Sequence, residues 1–199
     1  MIAAALAGFT LGLSLILAIG AQNAFVLKQG IRQHHVLLVC SLCACSDAIL
    51  VSAGVAGFGA MVNAFPMIES VARYAGALFL LWYALRSFLS AYRENHALNP
   101  AGDAKHSAVK TALICLAFTW LNPHVYLDTI VLLGSVSTQY DGQRIPFAVG
   151  AMTASFVFFF SLGFGAKALI PIFRHARAWK VFEIVIGLIM LILAIHLIR

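Results

Sequence analysis

Long stretches without a charged side chain constrain this chain more than any other feature. Residues 1–27 carry no Asp, Glu, Lys or Arg. Residues 33–68 are interrupted only by Asp47 and residues 111–140 only by Asp128, while residues 145–166 and 184–198 carry none. A helix needs about 20 predominantly apolar residues to cross the hydrocarbon core of a bilayer, and these runs are of that order. Only 10% of the 199 residues are charged and 62% are hydrophobic, against about 25% charged in an ordinary soluble domain. The mean hydropathy is +0.96. A soluble globular domain, a disordered chain, a collagen and a disulfide scaffold are excluded. The class that remains is an all-α integral membrane protein. Six spans would use roughly 120 residues, which leaves short loops and no extramembrane domain.

The runs predict spans near 3–26, 36–60, 68–89, 109–133, 145–170 and 179–198. The third is the least tidy. Its uncharged centre, Tyr74–Leu85, gives only about 18 Å of helix, so Arg73 and Arg86 are expected to snorkel at its ends. Glu69 and Arg73, four apart, could form an intrahelical pair. A transmembrane β-barrel alternates apolar and polar residues, whereas these runs are apolar throughout. The first segment has no basic residue before Lys28 and is longer than the apolar core of a signal peptide, so it is expected to be retained.

Basic residues set the expected orientation. The loops after spans one, three and five hold Lys28 and Arg32, then Arg86, Arg93, Lys105 and Lys110, then Lys167, Arg174, Arg177 and Lys180. The opposite side holds Arg73, Arg144 and Arg199. The first, third and fifth loops are therefore expected in the cytoplasm and both termini outside. The net charge of +6 expresses this topology and gives no reason to expect a nucleic-acid partner.

The longest loop, 87–107, divides the chain near its middle and invites comparison of the halves. Gly57–Ala60 and Gly163–Ala166 both read Gly-Phe-Gly-Ala, Asn23 corresponds to Asn122, and Gly76 corresponds to Gly187. One transmembrane domain, 1–199, is expected to contain a three-helix repeat over 1–92, a central cytoplasmic loop over 93–107, and a second repeat over 108–199. Three helices repeated once must run in opposite senses. Transporters built on such inverted repeats bind substrate near the midplane, at the repeat interface.

Polar residues within spans mark candidate sites. Gln22 and Asn23 follow Gly20-Ala21 in span one. Asn122, Pro123 and His124 follow Trp120-Leu121 in span four. Pro123 cannot continue the helical hydrogen-bond ladder, and backbone groups freed at such a break need partners in protein or in a water-filled cavity. A half-helix starting there presents N–H groups and a positive dipole end, which suits a substrate carboxylate. The alternative is a healed kink with Asn23 and Asn122 as interhelical glue.

Asp47 and Asp128 each cost roughly 2.5–3.5 kcal/mol at a helix centre on insertion scales. Asp47 lies about 16 Å into span two, close to mid-bilayer, and Asp128 one and a half turns beyond Pro123. Neither has a basic partner at its depth in its own helix. Such a carboxylate can hold a proton or a cationic substrate, or else be a structural group bonded to Ser46, Thr129 or Tyr126.

Cys40, Cys43, Cys45 and Cys115 offer another class of function, a thiol/disulfide electron conduit. Cys43 and Cys45 do not share a helix face, however, and small apolar filler accounts for all four. His34 and His35 read as a solvated pair at the cytoplasmic mouth or as metal ligands, so a divalent-metal effluxer is a further alternative. No Ser-His-Asp or zinc motif is visible, and an enzyme is not expected. No cofactor is expected either.

The motifs Gly20-Ala21-Gln22-Asn23-Ala24-Phe25-Val26, Lys28-Gln29-Gly30-Ile31, Ser46-Asp47, Leu81-Trp82-Tyr83 and Thr119-Trp120-Leu121-Asn122-Pro123-His124-Val125-Tyr126-Leu127-Asp128 resemble, in order, the LysE/ArgO family of amino-acid exporters. The resemblance covers nearly the whole chain. It implies export of lysine or arginine from the bacterial cytoplasm across the inner membrane, driven by the proton motive force. It carries functional roles onto Gln22, Asn23, Asp47, Asn122, Pro123 and Asp128. Ala21 stands where the wider family has Pro, which predicts a gentler break in span one. The expected partners are a basic amino acid, protons and the lipid bilayer. Gly and Ala in spans two and five permit close packing, within the subunit or in a homo-oligomer.

Overall fold

The computed structural model describes residues 1–17, 20–58, 66–93, 107–173 and 175–198. Among them every regular element is helical. In chain order these are α1 (Ile2–Ile16), α2 (Ala21–Arg32), α3 (Val36–Ala53), α4 (Pro66–Arg93), α5 (Ala108–Trp120), α6 (Pro123–Tyr126), α7 (Leu133–Ser137), α8 (Arg144–Gly165), α9 (Ile170–Phe173) and α10 (Ala176–Ile198). A π-helical turn, Gly54–Phe58, extends α3, and another, Leu127–Leu132, joins α6 to α7. The 3₁₀ turn Ala166–Leu169 carries α8 into α9. The chain is a multi-pass membrane protein. Four helices, Val36–Gly57, Arg73–Tyr92, Arg144–Phe173 and Ala176–Ile198, are long and apolar enough to cross a bilayer, and the pair α1 and α2 makes a fifth if it counts as one span.

Among the described residues each of the six predicted segments contains helix, but two are broken, and Ala108–Trp120 of the fourth is too short to count as a span. Span one bends by 83° between α1 and α2, so Ala21 does not soften it. Gly20 takes an extended conformation, φ −121° and ψ 170°, and caps a new helix start. Span four stops at Trp120 and restarts at Pro123. Lys28 and Arg32, expected in a loop, lie within α2. Arg86 and Lys110 are likewise helical, in α4 and α5. The central loop from 94 to 106, the Gly59 and Ala60 end of the first Gly-Phe-Gly-Ala, Arg174, Arg199 and the side chain of Glu69 lie outside the described residues.

Lipid-facing leucines, isoleucines and valines cover the outside of the bundle. Leu78, Val109, Ile192 and Leu37 are all more than half exposed, as expected where acyl chains take the place of water. Inside, small residues let backbones meet. A Cβ on Gly8 would strike the Phe147 carbonyl, and one on Gly150 the Ala5 carbonyl, so α1 and α8 pack backbone to backbone. α4 and α10 form the other extensive pair. A Cβ on Gly76 of α4 would collide with the carbonyl of Leu121, which seats α4 directly against the break in span four. The two π turns also meet, Gly54 against the backbone of Thr129 and Ile130.

Candidate functional site

The two breaks open onto one cavity of about 290 Å³. It is lined by Gln22, Asn23, Asp47, Asn122, His124 and Asp128, with Phe79, Phe118 and Phe159 among its apolar walls. Six of the seven residues singled out from the sequence thus converge on a single space, although they come from α2, α3, the loop before α6, α6 itself and the π turn after it. Pro123 is the exception. It is buried at the first position of α6 and does not line the cavity, so its part is to set the backbone.

Each break is closed by its own side chains. Asn23 Nδ2 donates to the Ile16 carbonyl at 2.7 Å, tying the start of α2 to the end of α1. The remaining N–H groups of the first turn of α2 have no partner within that helix. At the second break Asn122 is the N-cap, its Oδ1 accepting from His124 N at 3.1 Å. Pro123 carries no N–H, so this half-helix has spent the donors that the sequence assigned to an anion. The carbonyl of Trp120 accepts from the Tyr126 hydroxyl at 2.6 Å, and the Trp120 indole donates to Ser46 Oγ at 3.2 Å. These bonds satisfy the backbone freed by Pro123 and hold α5 against α3.

Asp47 is buried, and its Oδ2 accepts from Ser155 Oγ of α8 at 2.8 Å. The bonding partner is thus Ser155, and not the adjacent Ser46 considered from the sequence. Asp128 is half-buried at the cavity edge. Thr129, its suggested partner, donates to the Val125 carbonyl. The Gln22 carboxamide is buried, and its Nε2 makes no hydrogen bond among the described residues. An amide placed so at a polar cavity is a donor available to a ligand. The His124 and His196 rings stack at 5.8 Å.

The four cysteines form no disulfide. Cys40 Sγ donates to the Phe159 carbonyl at 3.2 Å, while Cys43 Sγ contacts Cys115 Sγ at 3.4 Å. All four are free thiols, and Cys45 is exposed. Among the described residues no three His, Cys, Asp or Glu side chains converge as a metal site would need. His34 and His35 occupy the turn between α2 and α3.

One charged group escaped the sequence reading. Glu183 of α10 is fully buried, and Lys28 Nζ of α2 lies 2.7 Å from each of its carboxylate oxygens. Arg32 approaches the same carboxylate at 3.7 Å. Lys28 had been counted as a loop charge, and Glu183 sits at the edge of a clean apolar run. The available signal was an acidic residue two turns inside a candidate span, where a buried carboxylate needs a cation.

Broken helices, a cavity between them that gathers amide and carboxylate side chains, and an apolar exterior define a membrane transport protein, not an enzyme. The LysE type translocator model matches residues 13–199, and the chain belongs to that family. It is 46% identical over 199 residues to the "Putative amino-acid transporter YggA" of Aeromonas salmonicida, covering 99% of this chain and 96% of that protein. It is 43% identical over 195 residues to the "Arginine exporter protein ArgO" of Pectobacterium atrosepticum, covering 98% and 96% of the two chains. It is 42% identical over 193 residues to the protein of that name from Salmonella enteritidis, covering 96% and 92%. No solved structure matches the chain.

Proposed function

We propose that this protein exports L-arginine, L-lysine or both from the bacterial cytoplasm across the inner membrane, in exchange for protons. The observation that carries the reading is the convergence of two helix breaks, three amide side chains and the carboxylates of Asp47 and Asp128 on one cavity. The chain's similarity to two proteins named as arginine exporters selects the substrate class.

The chemistry follows from the substrate. A basic amino acid presents a carboxylate, an α-ammonium and a side-chain cation. The N–H groups opening α2 and the Gln22 amide suit the carboxylate. Asp47 and Asp128 suit the cations, while Asn23, Asn122 and Pro123 hold the two breaks open and His124 walls the pathway. Moving one positive charge outward against a negative-inside potential costs about 2.3 kcal/mol per 100 mV. One-for-one exchange with an inward proton cancels that electrical work. A carboxylate that holds either a proton or the substrate cation, but not both, enforces the exchange. Asp47 is the candidate for this role and Asp128 assists.

The architecture in this reading is six spans in two inverted three-helix repeats, with both termini outside and the first, third and fifth loops cytoplasmic. The packing pattern supports it. Under the repeat, span one corresponds to span four and span two to span five. The contact of α1 with α8 then has its counterpart in the contacts of α3 with α5 and the segments after it, and spans three and six pack on each other as α4 and α10. Spans one and four are both the broken ones, and each restarts on an extended residue.

Efflux tests the function. Cells lacking their own exporters are fed arginine- or lysine-containing dipeptides, and labelled amino acid is followed outward with and without this chain. Export of a basic amino acid that a protonophore abolishes is expected. Absence of export for both amino acids overturns the reading.

A further inference from the structure

The exporter reading leaves the charged cluster of α2 and α10 unused. The cluster is separated from the cavity by a layer of aromatic rings. Phe79 and Phe118 line the cavity, and Phe118 packs edge-on against Tyr83 at 4.9 Å. The Tyr83 ring in turn lies 5.5 Å from Lys28 Nζ. Beyond Lys28 stands Glu183, and beyond that Arg32, whose guanidinium covers the Trp179 ring at 4.7 Å. Each of the two cations that pair with the carboxylate thus also lies over an aromatic ring, Lys28 over Tyr83 and Arg32 over Trp179.

Two features set this cluster apart from an ion pair kept for stability alone. It holds two cations against one anion, so it carries an excess positive charge. It is also incompletely satisfied, because Arg32 Nε is buried without a hydrogen-bond partner among the described residues. Burying ions for stability gains little over apolar packing. A carboxylate whose cations also lie over aromatic rings, by contrast, is the arrangement that recognises ammonium and guanidinium groups. The side chains of Lys28 and Arg32 end in those two groups, the same two that end lysine and arginine.

We propose that Glu183, with the Tyr83 and Trp179 rings beside its cations, is a second binding station for the cationic side chain of the transported amino acid, and that Lys28 holds it as a tethered occupant until a substrate cation displaces it. The station lies across the aromatic layer from the cavity, at the end of the bundle where α2 turns into α3. The identity of the ligand rests on the exporter reading above. A substrate ammonium or guanidinium arriving at the station exchanges for Lys28 with no net change in charge on Glu183. The freed Lys28 ammonium then lies beside the substrate, on the flank where its carboxylate can be met.

The test is a charge swap, Lys28→Glu with Glu183→Lys. It keeps an ion pair between α2 and α10 and removes the carboxylate from its position on α10. The swapped protein is expected to melt close to wild type while its arginine efflux falls about tenfold or more, the loss that goes with one charge-assisted contact. Efflux equal to wild type would make the cluster a structural pair and overturn the proposal. A second measurement decides the matter if the swap does not fold. Purified Lys28→Ala, which removes the tethered ammonium, is titrated with n-butylguanidinium against an equal concentration of sodium, and its melting temperature is compared with that of wild type. A larger rise in the variant supports the station, and an equal or smaller rise overturns it. Wild-type efflux, run in parallel, separates the two readings. If wild type exports no basic amino acid, the exporter reading fails, while the n-butylguanidinium titration still decides the station.

Discussion

Ser155 and Asp47, on α8 and α3, are joined by a 2.8 Å hydrogen bond in which the hydroxyl donates to the carboxylate, both residues being buried. It fixes Asp47 beside the cavity without neutralising it, because a hydroxyl offers a donor but no charge. Ser155→Ala removes that donor. Losing a hydrogen bond to a charged group costs roughly 1.5–3 kcal/mol, so labelled-arginine efflux is expected to fall about tenfold or more. Wild-type efflux in Ser155→Ala would dissociate the bond from transport.

Asp47→Asn preserves size and the bond from Ser155 but cannot hold a proton or balance a cation. Export is expected to be lost, with the protein still folded by size-exclusion chromatography. Asp128 is half-buried and so better solvated. Asp128→Asn is expected to weaken export without abolishing it. Export by Asp47→Asn at an undiminished rate and with intact protonophore sensitivity would remove that residue from the coupling role.

Asn122 tests whether the second break is a formed helix start or a passive kink. Its Oδ1 caps the helix by accepting from His124 N. Loss of such a cap costs typically about 1 kcal/mol. Asn122→Ala should lower the melting temperature modestly and reduce export, and Asn122→Asp should restore the cap and the melting temperature. Equal melting temperatures for Ala and Asp would show that the cap contributes nothing.

The four cysteines are expected to be dispensable. Cys43 and Cys115 touch in the core as small apolar groups, so Cys→Ala at 40, 43, 45 and 115 preserves the packing better than Cys→Ser would. The cysteine-free protein should still export arginine, since none of the four lines the cavity. Loss of export with an intact fold would return attention to the thiols.

The spans and the cavity residues were legible because a bilayer penalises polarity within a single helix. Asp47, Asp128 and the two Asn positions therefore stand out residue by residue. The Lys28–Glu183 pair was not legible in that way. Each partner lies near the end of an apolar run, where a charge reads as solvated, and only the packing of α2 on α10 makes both of them buried. The partner of Asp47 was hidden for the same reason. Ser46 is adjacent in sequence, but it faces the Trp120 indole, and the hydroxyl that reaches the carboxylate comes from α8. The sharp break before Ala21 needs no proline, because Gly20 supplies the extended backbone.

The contact of α1 with α8 carries the last prediction. Gly8 meets the Phe147 carbonyl and Gly150 the Ala5 carbonyl, so the two backbones touch at points on opposite helices. In a membrane, lipid tails are as apolar as any side chain, and such close packing is what holds helices together. A valine at Gly8 must push α8 away, since the obstructing atom is backbone and cannot rotate aside. Overpacking costs typically 1–3 kcal/mol. Leu6, on the same helix, is 59% exposed and faces lipid, and Leu6→Val provides the matched control. Gly8→Val should lower the thermal stability of the detergent-solubilised protein, and the control should leave it unchanged. Because α8 also carries Ser155 on its buried face, the displaced helix should lengthen the bond to Asp47. Export by Gly8→Val is then expected to fall even below its melting temperature. An unchanged melting temperature and export in Gly8→Val would mean that α1 does not pack on α8 through Gly8.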